Sequence, residues 1–528
     1  MPQWLNDAVF YEIYPQSFYD SNGDGTGDIE GIIQKLDYID SLGCNALWLN
    51  PCFDSPFRDA GYDVRDYKKV APRYGTNGDL IRLFDEAHKR GMKVLLDLVP
   101  GHSSEEHEWF RKSREPERNE FWDRYIWTDN WCTPVKGLKT VCGEADRSAS
   151  YVINFFKCQP ALNYGFLKPE EKWQLPADHP GCAATREAMK DVMRYWLDSG
   201  CDGFRADMAA SLVKFDDSES SGTSAVWQNI RAMLDREYPE AALVAEWGCP
   251  RLAVNAGFHA DFFLAFYDNS GYQSLFRDYE MDGGNNVTGT DNSFFRKNGK
   301  GDIRRFLDDY LPHYEAVKGK GFVSLVSGNH DIPRLRLTLS PAEMALAFAF
   351  IFTMPGVPFL YYGDEIGMRY LNLPTKEGGY HRTGARTPMQ WNAEKNLGFS
   401  AAGADRLYLP VDPAPDAPTV EGAEKDPGSL LHTVRDLLRL RRAEPDLKAL
   451  PNLEILHAQK SKLPFVYRRG GLLVAINPGP EAAGAATGCK AGSGDPAPLY
   501  ALGKCAFDRG YVRMEAQSFG VWRAGKEL

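Results

Sequence analysis

From residue 8 onward, short apolar runs rich in β-branched and aromatic residues alternate with longer stretches in which apolar residues recur every three or four positions. That is the pattern of strand–helix units with parallel strands. It predicts strands at 8–14, 46–50, 93–99, 203–208, 243–247, 261–266, 322–327 and 357–361. Eight such strands are the number that closes a (β/α)8 TIM barrel, so the fold class is α/β. Amphipathic helices are predicted between them at 29–42, 77–90, 185–199 and 224–238. The most apolar stretch, 344–362, contains Pro355, Gly356 and Pro358 and runs into Asp364 and Glu365. It reads as a buried helix, a turn and a strand rather than a membrane span.

The regular spacing opens once. Residues 101–166, after the third strand, are rich in Trp, Lys, Glu and Arg without a helical period, which predicts an inserted subdomain on that loop. Beyond Arg442 the pattern changes to alternating runs at 454–457, 464–467, 472–477 and 520–523 between Gly/Pro turns, a C-terminal antiparallel β-sandwich domain. The organisation expected is a barrel from 1–100 and 167–445, the insert at 101–166 and the β-domain at 446–528. The Gly/Ala-rich stretch 481–498 is expected to be a mobile loop.

Composition narrows the function more than the fold. Hydrophobic residues at 43% and charged residues at 25% exclude a disordered or fibrous chain. A net charge of −11 argues against nucleic acid or an anionic membrane as partner and suits a neutral ligand. The start of the chain has no basic segment followed by an apolar run, and ten cysteines are too dilute for a disulfide scaffold. Reduced thiols, a cytoplasmic location and a monomer are therefore expected; Cys132 and Cys142 are the pair that would bridge a loop in an exported protein.

Candidate chemistry sits at the strand ends, because a barrel of this kind carries its active site at their C-terminal face. Strand three ends Asp97-Leu98-Val99-Pro100-Gly101-His102, strand four Arg205-Ala206-Asp207, strand five Ala245-Glu246-Trp247 and strand seven Asn329-His330-Asp331. Any one of these polar residues serves as readily in a salt bridge or a cap. Several carboxylates converging on one pocket repel one another and lose solvation, a cost that function justifies and stability seldom does.

Ordered blocks across essentially the whole chain carry a resemblance: 9–15, 61–64, 97–102, 159–163, 203–207, 245–246, 329–331 and 356–367. The sequence resembles the α-amylase superfamily, glycoside hydrolase family 13. Residues 20–28, 386–391 and 420–442 bring it nearest the branch of α-glucosidases, oligo-1,6-glucosidases and trehalose synthases. The resemblance implies a retaining double displacement, which needs a nucleophilic carboxylate and a proton donor about 5–5.5 Å apart. It makes Asp207 the nucleophile, Glu246 the acid/base and Asp331 the third carboxylate, holding sugar hydroxyls. Arg205, two residues before Asp207 and on the same face, would keep it ionised. His102 and His330 would donate to the first sugar and Tyr62 would stack beneath it, with Asp63 kept as architecture. Asp59 and Arg406 resemble the pair that closes the non-reducing end of the pocket. Trp247 would exclude water from Glu246, or simply pack.

A second motif is a metal loop. Asp20-Ser21-Asn22-Gly23-Asp24-Gly25-Thr26-Gly27-Asp28 places oxygen side chains at alternate positions, like the start of an EF-hand loop. The expected ligands of a structural Ca²⁺, or Mg²⁺, are Asp20, Asn22, Asp24, the Thr26 carbonyl and Asp28. Many amylases carry Asn before the strand-three His as a ligand for a different calcium; here that residue is Gly101, so that site is expected to be missing.

Substrate specificity stays open at this point. Ala161, Met208 and Trp247 depart from the oligoglucosidase pattern, each where the next sugar is expected. Exo-removal of α-linked glucose from short oligosaccharides is the main reading. The alternatives are a transglycosylase or isomerase such as a trehalose synthase, an endo-acting amylase or neopullulanase-like enzyme, and a noncatalytic amylase-like binding protein. The last would need a membrane helix and lost carboxylates, and this chain retains Asp207, Glu246 and Asp331.

Overall fold

The computed structural model describes residues 1–132, 135–264, 270–377, 381–450, 452–491 and 497–526. All eight expected strands are present: β1 (Phe10–Ile13), β2 (Ala46–Leu49), β3 (Lys93–Leu98), β4 (Gly203–Ala206), β5 (Ala242–Ala245), β6 (Ala260–Phe262), β7 (Phe322–Ser324) and β8 (Phe359–Tyr361). The last two residues of the predicted sixth strand, 265 and 266, lie outside the described residues. The strands are parallel and adjacent in chain order, with β8 paired to β1. The ring closes where the Phe359 N–H donates to Leu325 O (3.0 Å) and the Ser327 N–H to Phe359 O (2.9 Å).

These strands read as near-continuous apolar runs because both of their faces are buried. Inside the ring Phe10 stacks on Phe359 with centroids 4.4 Å apart, and Phe262 meets both Phe359 (4.8 Å) and Trp48 (5.2 Å). The lower barrel is thus a packed core, and only the upper rim is free to carry polar groups.

Helices α1 (Ile29–Gln34), α2 (Leu36–Leu42), α3 (Asn77–Lys89), α4 (Pro180–Asp198), α5 (Ser221–Glu237), α6 (Pro250–Asn255), α7 (Ile303–Val317), α8 (Pro341–Thr353) and α9 (Leu430–Ala443) surround the sheet. The single helix predicted over 29–42 is broken at Lys35, whose ammonium sits over the rings of Tyr19 (4.1 Å) and Trp391 (4.3 Å). A tertiary cation–π contact outweighs local periodicity there. Helix α8 opens on a capping box at Ser340 and Glu343 and leads through Pro355-Gly356 into β8. Among the described residues, no helix is long and apolar enough to cross a membrane.

Between β3 and α4 the chain forms a short helix, Glu108–Ser113, and an antiparallel pair, Lys139–Val141 with Tyr151–Ile153. Beyond α9 lie β9 (Leu453–His457), β10 (Phe465–Arg469), β11 (Leu472–Asn477), β12 (Ala483–Ala486), β13 (Cys489–Ala491), β14 (Tyr500–Leu502), β15 (Cys505–Asp508), β16 (Tyr511–Met514) and β17 (Ser518–Lys526). One sheet runs β9-β10-β11-β17-β13 with β14 beside β17, and the other β12-β16-β15. Val466, Leu473, Phe507, Val512, Met514 and Trp522 fill the space between them, while Phe465, Tyr467, Val474 and Val521 face the main core. The 481–498 stretch is therefore not simply a loop: it supplies β12 and β13, and its residues 492–496 lie outside the described ones. All ten cysteines are free thiols, Cys132 and Cys142 exposed among them.

Candidate active site

Asp207 leaves the end of β4 with its N–H on Leu98 O (2.8 Å), and Arg205 points to the same side, into the barrel. The Arg205 guanidinium is buried and serves three carboxylates: Nη1 lies 2.7 Å from Asp97 and 3.3 Å from Asp207, and Nη2 2.9 Å from Glu246 Oε2. Met208, next in the chain, adopts a left-handed backbone (φ 45°), a conformation that costs a bulky residue about 1–3 kcal/mol. It aims the Met208 N–H at Glu246 Oε2 (3.0 Å), and the Ala209 N–H then donates to Glu246 O (3.1 Å). The strain is spent on holding one carboxylate beside the other.

Burial is the largest influence on Asp207 and Glu246 and raises both; the charge of Glu246 adds to the effect on Asp207, and Arg205 opposes it at both. The two titrate as a pair that keeps a proton more readily than free carboxylates do. Asp331 is the opposite case. Burial pushes it upward too, but His330 (3.2 Å), Arg386 (2.8 Å) and Arg382 (3.2 Å) hold it well below the usual range. His330 stands between Glu12 (2.8 Å) and the Tyr62 hydroxyl (2.6 Å), and although burial lowers its pKa, Asp331 and Glu12 bring it up to about 9. Burial pushes His102 down to about 3, so it is neutral. The Asn154 amide donates to Gly101 O (2.9 Å) and faces His102 Nδ1 (3.2 Å), so the imidazole proton sits on Nε2, a buried atom with no well-formed hydrogen bond among the described residues.

These groups line a cavity of about 260 Å³, with Tyr62, His102, Phe155, Phe156 and Met208 as walls beside the three carboxylates. Asp59 and Arg382, joined by an ion pair, complete the lining, and Gln159 anchors the other oxygen of Asp59 at 2.7 Å. A second cavity of about 340 Å³ shares Glu246 and Asp331 and continues past Tyr272, Arg277, Tyr279, Asn329 and His381.

The family model for the alpha-amylase catalytic domain matches residues 12–449, the stretch that contains every one of these groups. The chain belongs to the alpha-amylase family. Among its relatives, the trehalose synthase/amylase TreS of Mycobacterium tuberculosis is 32% identical over 510 residues, covering 89% of this chain and 80% of that protein. The oligo-1,6-glucosidase of Bacillus sp. (strain F5) is 31% identical over 507 residues, covering 84% and 93%. An isomaltulose synthase variant from Erwinia rhapontici NX5 bound to D-glucose shares the fold, with a TM-score of 0.79 at 23% identity, covering 99% of this chain and 100% of its own.

Within this alpha-amylase fold, three expectations fail. Arg406 is exposed and donates to Gly23 O (3.0 Å), away from the cavity; the partner of Asp59 is Arg382. Ala161 is fully buried and paired through its backbone with Ile126 and His102, so it does not meet a sugar. Trp247 points the opposite way from Glu246 and packs edge-on against Phe258 (6.3 Å). Of the three departures only Met208 faces the cavity. Asp63 is architecture as expected, accepting from Ser55 Oγ and the N–H groups of Arg58 and Asp59.

The sequence reading missed Arg382, Phe155 and Phe156, and it gave Arg386 no role. Arg386 lay inside a quoted block and is fully buried between Glu377 and Asp331; the other three sit on aperiodic loops with no pattern to mark them. At Gly101 a Cβ would lie 2.8 Å from Asn154 Nδ2, so glycine is what admits that amide. Lys214 donates to Asn154 Oδ1 (3.2 Å), a buried ammonium pushed down to about 8.

The 20–28 loop is folded on its own oxygens. Asp20 accepts the N–H groups of Asn22, Gly23, Asp24 and Gly25, while Asp28 caps α1 through the Gly31 N–H (2.6 Å) and accepts from Ser21. Asn22 and Asp24 are exposed and close turns onto Asp24 and Thr26. Asp20 and Asp28 are both buried; burial raises the Asp28 pKa, the hydrogen bonds from Gly31 and Ser21 work against it, and the charge of Asp20 adds to it. That donor set, hard oxygens around two neighbouring buried carboxylates, fits a divalent cation. Among the described residues, no three His, Cys, Asp or Glu side chains are closed round a metal position.

Proposed function

We propose that this chain is a retaining α-glucosidase-type enzyme that transfers one α-linked glucosyl unit from the non-reducing end of a short oligosaccharide. The observation that carries the reading is the sharing of Arg205 by Asp207 and Glu246 at the edge of a cavity with room for one sugar ring. Neighbouring carboxylates suit a nucleophile and proton donor; an inverting enzyme needs a wider gap for a water.

Asp207 attacks the anomeric carbon while Glu246 protonates the departing oxygen, which forms a β-linked glucosyl ester on Asp207. The Met208 N–H and the Arg205 guanidinium both face Oε2, so Oε1 is the oxygen that carries the proton. Glu246 then acts as base and draws a proton from the incoming hydroxyl, which opens the ester with net retention. The charged Asp331 and His102 Nε2 hold sugar hydroxyls, and Tyr62 stacks on the ring. Asp59 and Arg382 close the far end of the pocket, which favours terminal glucose over internal cleavage. Asp20, Asn22, Asp24, the Thr26 carbonyl and Asp28 would hold a structural Ca²⁺, which would supply cross-linking of the first strand–helix connection rather than chemistry. Ten free thiols accord with a cytoplasmic enzyme.

A second reading has its own support. The further cavity at Glu246 and Asp331 can retain the released sugar, and the relatives include trehalose synthase/amylases as well as oligo-1,6-glucosidases. If the retained sugar rather than water opens the ester, the product is an isomer. Incubation with maltose, isomaltose, sucrose and trehalose, followed by chromatography, separates the cases: free glucose marks hydrolysis, and conversion of one disaccharide into another marks isomerisation. Turnover of none of the four contradicts the proposal.

A further inference from the structure

Glu246 stands just past the point where strand pairing stops. β5 and β6 pair only through Val244 with Ala260 and Ala245 with Asp261, so the backbone beyond Ala245 has no ladder partner on that side. On the other side the Glu246 N–H donates to Ala206 O (3.0 Å). What takes up the free side is a side chain. Asp261, fully buried on β6, accepts the Trp247 N–H (2.9 Å) and the Gly248 N–H (3.3 Å) on a single oxygen, Oδ1.

We propose that Asp261 is the positioning residue of the acid/base, clamping the two peptide groups that follow Glu246 so that its carboxyl stays within reach of the glycosidic oxygen. The inference rests on the reading of Glu246 as acid/base.

Three observations set Asp261 apart from an ordinary turn-capping residue. Burial drives its pKa well above the usual carboxylate range against the hydrogen bonds of the peptides that follow Glu246, the charge of Glu246 adds to the rise, and no lysine or arginine is among the largest influences on it. Its second oxygen, Oδ2, is buried without a well-formed hydrogen bond among the described residues, a cost that a cap alone does not require. The clamped peptides adjoin the acid/base directly, and Gly248 turns there with φ of +76°. A displacement of about 1 Å at such a group can cost on the order of 100-fold in rate.

The test compares Asp261→Ala, Asp261→Leu and Asp261→Asn on two substrates: the disaccharide the enzyme turns over fastest, and α-glucosyl fluoride, whose leaving group needs no proton. Leucine fills the space without accepting a hydrogen bond and keeps the test decisive if the alanine variant does not fold. Asparagine keeps an acceptor oxygen on a side chain of the same shape. Loss of the clamp predicts a kcat/KM, which reads the glycosylation step alone, at least ~10-fold lower on the disaccharide and within roughly 3-fold of wild type on the fluoride. The Asn variant is expected within about 3-fold of wild type on both. Equal losses on both substrates, no loss on either, or an Asn variant with the alanine profile would overturn the inference. Glu246→Gln is measured alongside. If it shows no leaving-group dependence, the acid/base reading fails; if it does and Asp261→Ala and Asp261→Leu do not, the positioning role alone fails.

Discussion

Nη2 of Arg205 lies 2.9 Å from Oε2 of Glu246, deep in the barrel mouth, while the other end of the same guanidinium holds Asp97 and Asp207. One fixed cation is shared among three buried carboxylates. Full ionisation would leave the cluster with excess negative charge in a poorly solvated site, so a proton is retained there. In the proposed mechanism Glu246 donates that proton, and Arg205 sets where the charges sit.

Glu246→Gln keeps the shape of the side chain and removes the transferable proton. In kcat/KM, which reads the glycosylation step, the expected loss on a disaccharide is roughly 100-fold or more, with much of it recovered on an activated aryl α-glucoside. Steady-state rates on the two substrates check this; wild-type rates on both contradict the role.

Arg382 and Arg406 offer a paired test of the pocket wall. Arg382→Ala removes the ion partner of Asp59 and one of the charges on Asp331, and KM is expected to rise by roughly 10-fold or more, the worth of a charged hydrogen bond of about 1.5–3 kcal/mol. Arg406→Ala is expected to leave KM within about 2-fold, because that side chain reaches only Gly23 O. The reverse order of effects would restore the sequence-based assignment.

Chelation should lower the melting temperature more than it lowers activity, since Asp20 and Asp28 tie a loop and a helix start rather than a reacting group. Differential scanning calorimetry with EDTA and with added Ca²⁺ reads the effect. A melting temperature indifferent to both removes the metal from the account.

Glu365 is a buried acid held by the Tyr11 and Tyr38 hydroxyls (2.7 Å each), and burial raises its pKa to about 7. A carboxyl with a raised folded pKa gives stability that is complete below its unfolded pKa and lost as pH rises through the folded one. Glu365→Gln should therefore flatten the decline in melting temperature as pH rises through about 7. An unchanged slope would show that Glu365 does not ionise in the folded protein across that range.

All eight barrel strands were legible because strands buried on both faces read as continuous apolar runs, and the carboxylates were legible because they sit at the ends of those runs. Contacts between distant loops were not. Arg382 meets Asp59 from a segment without periodicity, and Arg406, which carried the family pattern, is drawn instead to the 20–28 loop. The Lys35 break between α1 and α2 depends on two rings, one of them on Trp391 far along the chain. In the β-domain the long strands β10, β11 and β17 announced themselves, whereas β12 and β13 are short and lie in a Gly/Ala-rich stretch whose composition suggested a loop.

Asp207 is the nucleophile in the proposed mechanism. Trapping with a slowly hydrolysed fluorosugar built on α-glucose, followed by peptide mapping in a mass spectrometer, is expected to place the label on Asp207 within residues 203–207, with labelling and turnover both lost in Asp207→Asn. A label on Asp331 or Glu246, or β-glucose as the first-released anomer from an α-glucoside, would contradict it.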